Sequence, residues 1–216
     1  MTTGTSFGHD MLLLAPIWLT ALAGLLFLGL EVFRRGDERG YMGPLAAFVY
    51  LVAAGAVAWA WSHGGEFRLS QPLLHKALVI NRFTLFVQGL LLVGAAATSI
   101  FAGPWLRARD NERGEFHALV AFAATGMLAM VAARDLITLF VGLEVMSLAV
   151  YVLVAYDARR SFQSVEAALK YFLLGGVAAA VLLLAIAFLY GLTGSTDLPT
   201  IAAVFVKNPG AAQGAT

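Results

Sequence analysis

Long apolar runs alternate with short polar turns along the whole chain. A helix needs ~20 apolar residues to cross a bilayer, and six runs reach that length. The pattern predicts an all-α polytopic transmembrane protein with six spans at about 11–33, 41–61, 83–105, 116–133, 136–156 and 164–192. Together they form one transmembrane helical domain over residues 1–198, and residues 199–216 read as a tail or cut end because their hydrophobicity falls.

The connections between the spans carry further information. Residues 62–81 contain FRLSQPLLHKALVI, which has strand-like or interfacial character, and the sequence leaves both readings open. The third span is predicted to break off near Gly103–Pro104. Only Arg134 and Asp135 separate spans 4 and 5, which predicts a tight antiparallel helical hairpin between them. Glu31, Arg134 and Asp135 are read mainly as residues of the membrane boundary.

Composition supports a membrane location. Hydrophobic residues make up 60% of the chain and charged residues 12%, whereas a soluble domain carries ~25% charge. The absence of cysteine excludes disulfides and thiolate-bound clusters. The net charge of +1 says nothing about nucleic acid, and no basic run is long enough to suggest a nucleic-acid partner. His9, His63, His75 and His117 lack metal-ligand spacing and are read as loop or interface residues.

Lysine and arginine counts in the loops predict the orientation, because these residues accumulate on the cytoplasmic side. Eight lie in the turns that follow spans 1, 3 and 5: Arg34, Arg35, Arg39, Arg107, Arg109, Arg113, Arg159 and Arg160. Five lie on the other side: Arg68, Lys76, Arg82, Arg134 and Lys207. This bias places both termini on the outer side of the membrane.

Two ionisable residues lie inside apolar spans, Glu144 in the fifth and Lys170 in the sixth. A charge at the centre of a membrane helix costs roughly 2.5–3.5 kcal/mol on insertion scales, so such residues usually face protein and mark ion pathways. Both are expected near mid-depth, offset by about 9 Å along the membrane normal at 1.5 Å per residue. That gap is small enough for a flexible lysine or a single water to close much of it.

Three further residues support this pair. Ser147 and Tyr151 follow Glu144 at i+3 and i+7, which puts two hydroxyls on the face of the carboxylate. Glu166 precedes Lys170 by four residues, a spacing that can form an intrahelical ion pair. The alternatives are structural: Glu144 as a hydrogen-bonded buried acid, Lys170 reaching the interface, and Glu166 bracing Lys170 or capping its helix.

The stretch DLITLFVGLEVMSLAVYVLVAY, followed by SVEAALKYFLLGGVAAAVLLLAIAFLYGLTGSTDL, resembles subunit N of bacterial NADH–quinone oxidoreductase, respiratory complex I. The resemblance is strong over roughly 114–198, including GMLAM, and weaker before that. It implies a proton-translocating, antiporter-like membrane-arm subunit of 14 helices in the inner membrane. Glu144 would be the helix-5 acid that is coupled to a lysine on helix 7, and Lys170 the helix-6 lysine near the same half-channel.

The resemblance also implies no cofactor in this chain; NAD, FMN, iron–sulfur clusters and quinone are expected in partner subunits. The expected partners are other membrane-arm subunits and the lipid bilayer. Two departures from the family pattern matter. The chain stops after helix 6, without the helix-7 lysine, as a split subunit or partial gene product would. It also has Asn81–Arg82 where many relatives have an acid, which weakens any proton-entry role there.

Two rival functions remain open. A subunit of a multi-subunit cation/proton antiporter or of a membrane-bound hydrogenase would share the helix-5 acid. A non-transporting membrane scaffold would need neither Glu144 nor Lys170. No glycine-rich phosphate loop, nucleophile elbow or zinc signature is present in the sequence, so conventional soluble-enzyme chemistry is not indicated.

Overall fold

Helices account for nearly all of the described chain. The computed structural model describes residues 10–33, 41–63, 72–74, 77–109, 111, 113–157 and 161–207. The helices are α1 (Ala15–Phe33), α2 (Met42–Ser62), α3 (Arg82–Ala108), α4 (Gly114–Ala132), α5 (Leu136–Val154), α6 (Phe162–Thr193) and α7 (Leu198–Lys207). Helices α1 to α6 are long and apolar enough to cross a membrane. The predicted all-α class with six spans is therefore confirmed, and the chain is a multi-pass membrane protein.

Two details differ from the sequence expectations. Helix α3 does not break at Gly103–Pro104 but continues to Ala108 with Pro104 inside it. Pro104 has no amide hydrogen to donate to the Ile100 carbonyl, so α3 continues past this position without that backbone hydrogen bond. The ten-residue helix α7 lies where the sequence predicts a tail, because LPTIAAVFVK follows a capping aspartate, Asp197, whose carboxylate accepts the Thr200 amide at 3.1 Å.

The connection between α2 and α3 contains a short antiparallel hairpin. Strand β1 (Pro72–Leu73) pairs with β2 (Leu78–Val79), with Pro72 opposite Val79 and Leu73 opposite Leu78. This part of the connection is therefore strand-like, one of the two readings that the sequence left open. Residues 64–71 and 75–76 lie outside the described residues, as do Arg34, Arg35, Arg39, Arg159, Arg160, His9 and the chain after Lys207.

Helix α4 lies at the centre of the bundle and packs against α1, α3 and α5. Ten of its 19 residues are buried, most of them alanine or glycine. Small side chains let helix backbones come close together, which is how membrane helices without a hydrophobic driving force gain packing energy. The closest approach is to α5, where a Cβ added to Gly126 would lie 2.5 Å from both the Gly142 carbonyl and the Met146 amide.

Helix α6 lies at the edge of the bundle and contacts α5 and the short α7. Ile186 is its single buried residue among its 32. Most of its large apolar side chains are exposed, including Leu174 at 72% and Val177 at 66%. Helix α6 therefore offers a broad apolar surface to lipid or to other protein.

Filling the α4–α5 contact should destabilise the bundle. Gly126→Leu would force two backbones apart, and overpacking of this kind costs roughly 1–3 kcal/mol. We expect a lower thermal unfolding midpoint in detergent. Gly55→Leu is the matched control, because a Cβ at Gly55 would meet nothing within 4 Å. Equal unfolding midpoints for the two variants would show that the close approach is not needed.

Candidate functional site

The turn between α4 and α5 joins three connections at one end of the bundle. The Arg134 amide donates to the Ala77 carbonyl of the hairpin at 2.9 Å, and the Leu198 amide donates to the Arg134 carbonyl at 3.1 Å. The Arg134 guanidinium donates to the Asp197 carboxylate at 2.7 Å. We call this set of contacts the Arg134 junction. It ties the start of α5 to the end of α6.

Asp135 completes the junction as the N-cap of α5. One carboxylate oxygen accepts the amides of Ile137 and Thr138 at 2.8 and 3.1 Å, which satisfies two of the free donors at a helix start. The other oxygen accepts the Thr196 hydroxyl at 2.5 Å. Arg134 and Asp135 are therefore boundary residues, as expected, and they also fix how the two helices that carry Glu144 and Lys170 begin and end.

The contact with α4 sets the rotation of α5. Gly142 and Met146 lie against Gly126, and Ala149 on the same face is buried. Glu144 is two residues from Gly142, a rotation of about 200° at 3.6 residues per turn. Its carboxylate is therefore on the side of α5 that is turned away from α4. The side chain is half-buried.

Tyr151 shows what covers this side of α5. Its ring makes edge contacts with Tyr171 at 5.1 Å and with Phe172 at 5.5 Å, and its hydroxyl fills the space beside Gly175. Ser147 and Tyr151 are both half-buried and share the Glu144 side of α5. The sequence-predicted alignment of these three residues therefore agrees with the helix rotation, and the side they share is the one that packs against α6.

Lys170 lies on a different surface. Its ammonium forms an ion pair with Glu166 at 2.5 Å, and the two side chains are 70% and 50% exposed. The i, i+4 pair that the spacing suggested is present. Helix α6 packs on α5 at Gly175, and Lys170 is rotated from Gly175 by about 140°. The pair faces away from α5.

The structure consequently does not bring Lys170 to Glu144. The number of residues along each helix predicts only the depths of Glu144 and Lys170 in the membrane. The rotations of the two helices put the side chains on different faces. Within the described residues, Glu144 has no hydrogen-bond or ion-pair partner. A carboxylate inside a span needs a polar partner or water to be charged. A partner for Glu144 would have to come from outside the described part of the chain, or from water.

His117 was misread from the sequence. It is not a loop or interface residue but lies in α4, fully buried, with its ring 6.2 Å from Phe27 and 5.4 Å from Phe116. Neither ring nitrogen has a hydrogen-bond partner within the described residues. Position 117 shares the buried face of residues 121, 124, 128 and 132, so helical periodicity could have found it.

A second polar contact lies at the same end of α4. The Glu31 carboxylate accepts the Gly114 amide at 2.8 Å, so this boundary acid ties α1 to the start of α4. The Tyr156 hydroxyl donates to the Asn111 carbonyl at 3.3 Å. Burial, followed by the nearby Glu115 carboxylate, raises the pKa of Tyr156 to about 12. The described residues contain no group of three or more metal-ligating His, Cys, Asp or Glu side chains.

Known proteins match the chain in sequence and in fold. A family described as NADH:quinone oxidoreductase/Mrp antiporter, transmembrane region, matches residues 133–214, which include α5, α6 and the Arg134 junction. NADH-quinone oxidoreductase subunit N of Rhodospirillum rubrum is 37% identical over 199 residues, covering 92% of this chain and 40% of the relative. The resemblance to subunit N is confirmed.

Two solved structures share the fold. Respiratory complex I from Thermus thermophilus matches with a TM-score of 0.67 and 28% identity, over 85% of this chain and 38% of the matched chain. The membrane-bound sulfane sulfur reductase, an archaeal respiratory membrane complex, matches with a TM-score of 0.70 and 22% identity, over 90% and 40%. This chain spans about two fifths of the length of the subunit N relative from Rhodospirillum rubrum.

The Arg134 junction should weaken in acid. Hydrogen bonds from Arg134 and then Thr200 lower the pKa of Asp197 to about 2. A carboxyl whose pKa is lowered in the folded state contributes stability above its ordinary pKa of about 4, and that contribution is lost as the pH falls toward 2. Asp197→Asn should therefore be less stable than the unsubstituted chain at neutral pH, and the difference should shrink between about pH 4 and pH 2.

The measurement is the thermal unfolding midpoint of both chains in detergent across this pH series. A difference that stays constant through the whole range would show that ionisation of Asp197 does not stabilise the junction.

Proposed function

We propose that this chain is part of a proton-translocating membrane-arm subunit of NADH–quinone oxidoreductase. The observation that carries the proposal is Glu144, an acid inside an apolar helix. It lies on the side of α5 that is turned away from α4 and toward α6, in the region that matches the oxidoreductase and antiporter family. The similarity to subunit N over 92% of the chain supports it. An ionisable residue inside a span marks an ion pathway by default.

In this mechanism Glu144 takes up and releases a proton as the position of a nearby cation changes. The structure separates Lys170 from Glu144, so the cation beside Glu144 belongs to another part of the protein, such as the helix-7 lysine that the resemblance implies. Lys170 and Glu166 form a second proton-transfer site on the outer face of α6. An ion pair that opens and closes can hand a proton to its neighbours because the charge of each member depends on the other.

Ser147 and Tyr151 support the first site. Their hydroxyls can donate and accept hydrogen bonds. Both residues lie on the Glu144 side of α5, where the Tyr151 ring contacts Tyr171 of α6. The redox reaction takes place in partner subunits, which hold NAD, FMN, iron–sulfur clusters and quinone. The partners of this chain are the other membrane-arm subunits and the lipid of the bacterial inner membrane, with both termini of this chain on the outer side.

Glu144→Gln tests the proposal. The amide keeps the shape of the side chain but cannot exchange a proton, and proton-transfer groups typically contribute 10²–10⁴-fold to rate. We expect NADH-driven proton uptake by membrane vesicles to fall at least ~tenfold, as measured with a pH-sensitive dye, while the assembled complex remains intact on native gels. Glu144→Asp retains an exchangeable proton and is the matched control, with much of the uptake preserved.

Unchanged proton uptake in assembled Glu144→Gln complexes would overturn the assignment of Glu144. A scaffold function would be indicated if Lys170→Met also left uptake unchanged, because a scaffold has no use for either charge.

The second candidate function is that of a subunit of a multi-subunit cation/proton antiporter. The description of the matched family supports this candidate because it names both kinds of protein. Co-purification separates the two. Flavin and iron–sulfur subunits that co-purify with the chain support the oxidoreductase. Sodium-dependent proton exchange without those subunits supports the antiporter.

A further inference from the structure

A groove runs along the outer surface of the bundle between α2 and α3. It encloses about 420 Å³ and is lined by positions 54–61 of α2 and 85–93 of α3. The small residues Ala54, Ala58 and Gly89 are among those that line it, and Phe86, Leu90 and Val93 line it from α3. All the lining side chains are apolar, so the groove suits a hydrocarbon rather than a polar ligand.

The groove has the depth of one leaflet. From Leu85 to Val93 it extends about 12 Å at 1.5 Å per residue, and half of a ~30 Å hydrocarbon layer is about 15 Å. One end lies at Trp61, close to the end of α2, and the other lies near the middle of α3. An acyl chain that entered from the interface would follow the groove toward the centre of the membrane.

The positively charged side chain of Arg82 lies at the interfacial end of the groove. The Arg82 guanidinium lies 5.8 Å from the centre of the Trp61 ring, and the Arg82 side chain is exposed. The Trp61 ring holds the guanidinium beside the mouth of the groove. The planar fork of N–H donors on the guanidinium suits a phosphate. Tryptophan rings favour the head-group level of a bilayer, which puts the pair at the depth of lipid phosphates.

Arg82 is available for such a contact. Its one interaction within the described residues is with the Trp61 ring. Two carboxylates at this end of the bundle are engaged elsewhere: Asp197 binds Arg134, and Asp135 caps α5. Among the residues that the structure describes, no carboxylate pairs with Arg82, whose positive charge lies beside a groove that suits a hydrocarbon chain.

We infer that the α2–α3 groove is a binding site for an anionic phospholipid of the bilayer, with one acyl chain in the groove and the phosphate on Arg82. A second protein helix would satisfy the guanidinium only if it carried an acidic side chain at this depth. A neutral lipid would fill the groove but would gain little from Arg82. The inference depends on the membrane-spanning fold and not on the transport function of Glu144.

Quenching by brominated lipids tests the site directly. The chain contains no cysteine, so Phe86→Cys introduces a single attachment point for a fluorophore at the groove wall. The full chain is reconstituted in vesicles that contain brominated phosphatidylglycerol or brominated phosphatidylcholine with identical acyl chains. We expect about fivefold tighter binding of phosphatidylglycerol, the ratio that ~1 kcal/mol per basic residue near a membrane surface corresponds to.

Two substitutions separate the two halves of the site. Arg82→Gln should reduce the fivefold preference to about one, and Arg109→Gln is its control because Arg109 also covers a tryptophan, Trp105, at the opposite end of α3. Gly89→Leu should weaken quenching by both lipids by filling the groove, whereas Gly55→Leu should not. Gly89→Ala is the milder variant, since its Cβ would lie at an ordinary 3.7 Å from Val57.

Equal binding of the two lipids by the unsubstituted chain would overturn the inference, as would a preference that survives Arg82→Gln. Undiminished quenching in both Gly89 variants would show that the lipid does not lie in the groove. A fluorophore at the exposed Phe101, on α3 beyond the groove, should report no preference. None of these outcomes involves proton uptake, so they are separate from the test of Glu144.

Discussion

The close approach of α4 and α5 is the constraint on which the arrangement of charged residues depends. Gly126 and Gly142 leave no room between the two backbones, so α5 can be turned in only one way against the central helix. That rotation buries Ala149 and directs Glu144 to the opposite side. Gly126 and Gly142 therefore set the position of the Glu144 carboxylate through the rotation of α5 and not through a direct contact. The Arg134 junction adds a second restraint, because it ties the first residue of α5 to the segment that follows α6.

The same geometry explains why the two intramembrane charges do not meet. Helix α6 packs on α5 at the Tyr151–Gly175 contact, and this leaves Glu166 and Lys170 on its outer surface. A single hydrated ion pair is tolerable there, but a ring of exposed leucine, valine and phenylalanine surrounds it. Helices that cover this surface would enclose the ion pair, and their polar groups could connect it with Glu144. Relatives more than twice as long have the residues to supply such helices.

Much of the fold follows from the sequence alone. Hydrophobic run lengths found the six spans, the two-residue turn Arg134–Asp135 predicted the α4–α5 hairpin, and i, i+4 spacing predicted the Glu166–Lys170 pair. The distance between Glu144 and Lys170 could not be predicted in this way, because depth in a membrane follows from residue count whereas rotation depends on which small residues the neighbouring helix offers. The burial of His117 follows from its helical phase and not from its residue type, since it shares a face with Ala121 and Leu128. Helix α7 was missed because its apolar stretch is short and its cap, Asp197, lies in a loop.

The central claim is that the protein holds the Glu144 carboxyl inside the membrane where it gains and loses a proton during turnover. Infrared difference spectroscopy of the assembled complex, with and without NADH, measures this directly through the carbonyl stretch of protonated carboxyl groups. The account predicts a carboxyl band that changes with turnover and is missing in Glu144→Gln but retained in Glu115→Gln, whose side chain is exposed at the start of α4. An unchanged difference spectrum in Glu144→Gln would contradict it.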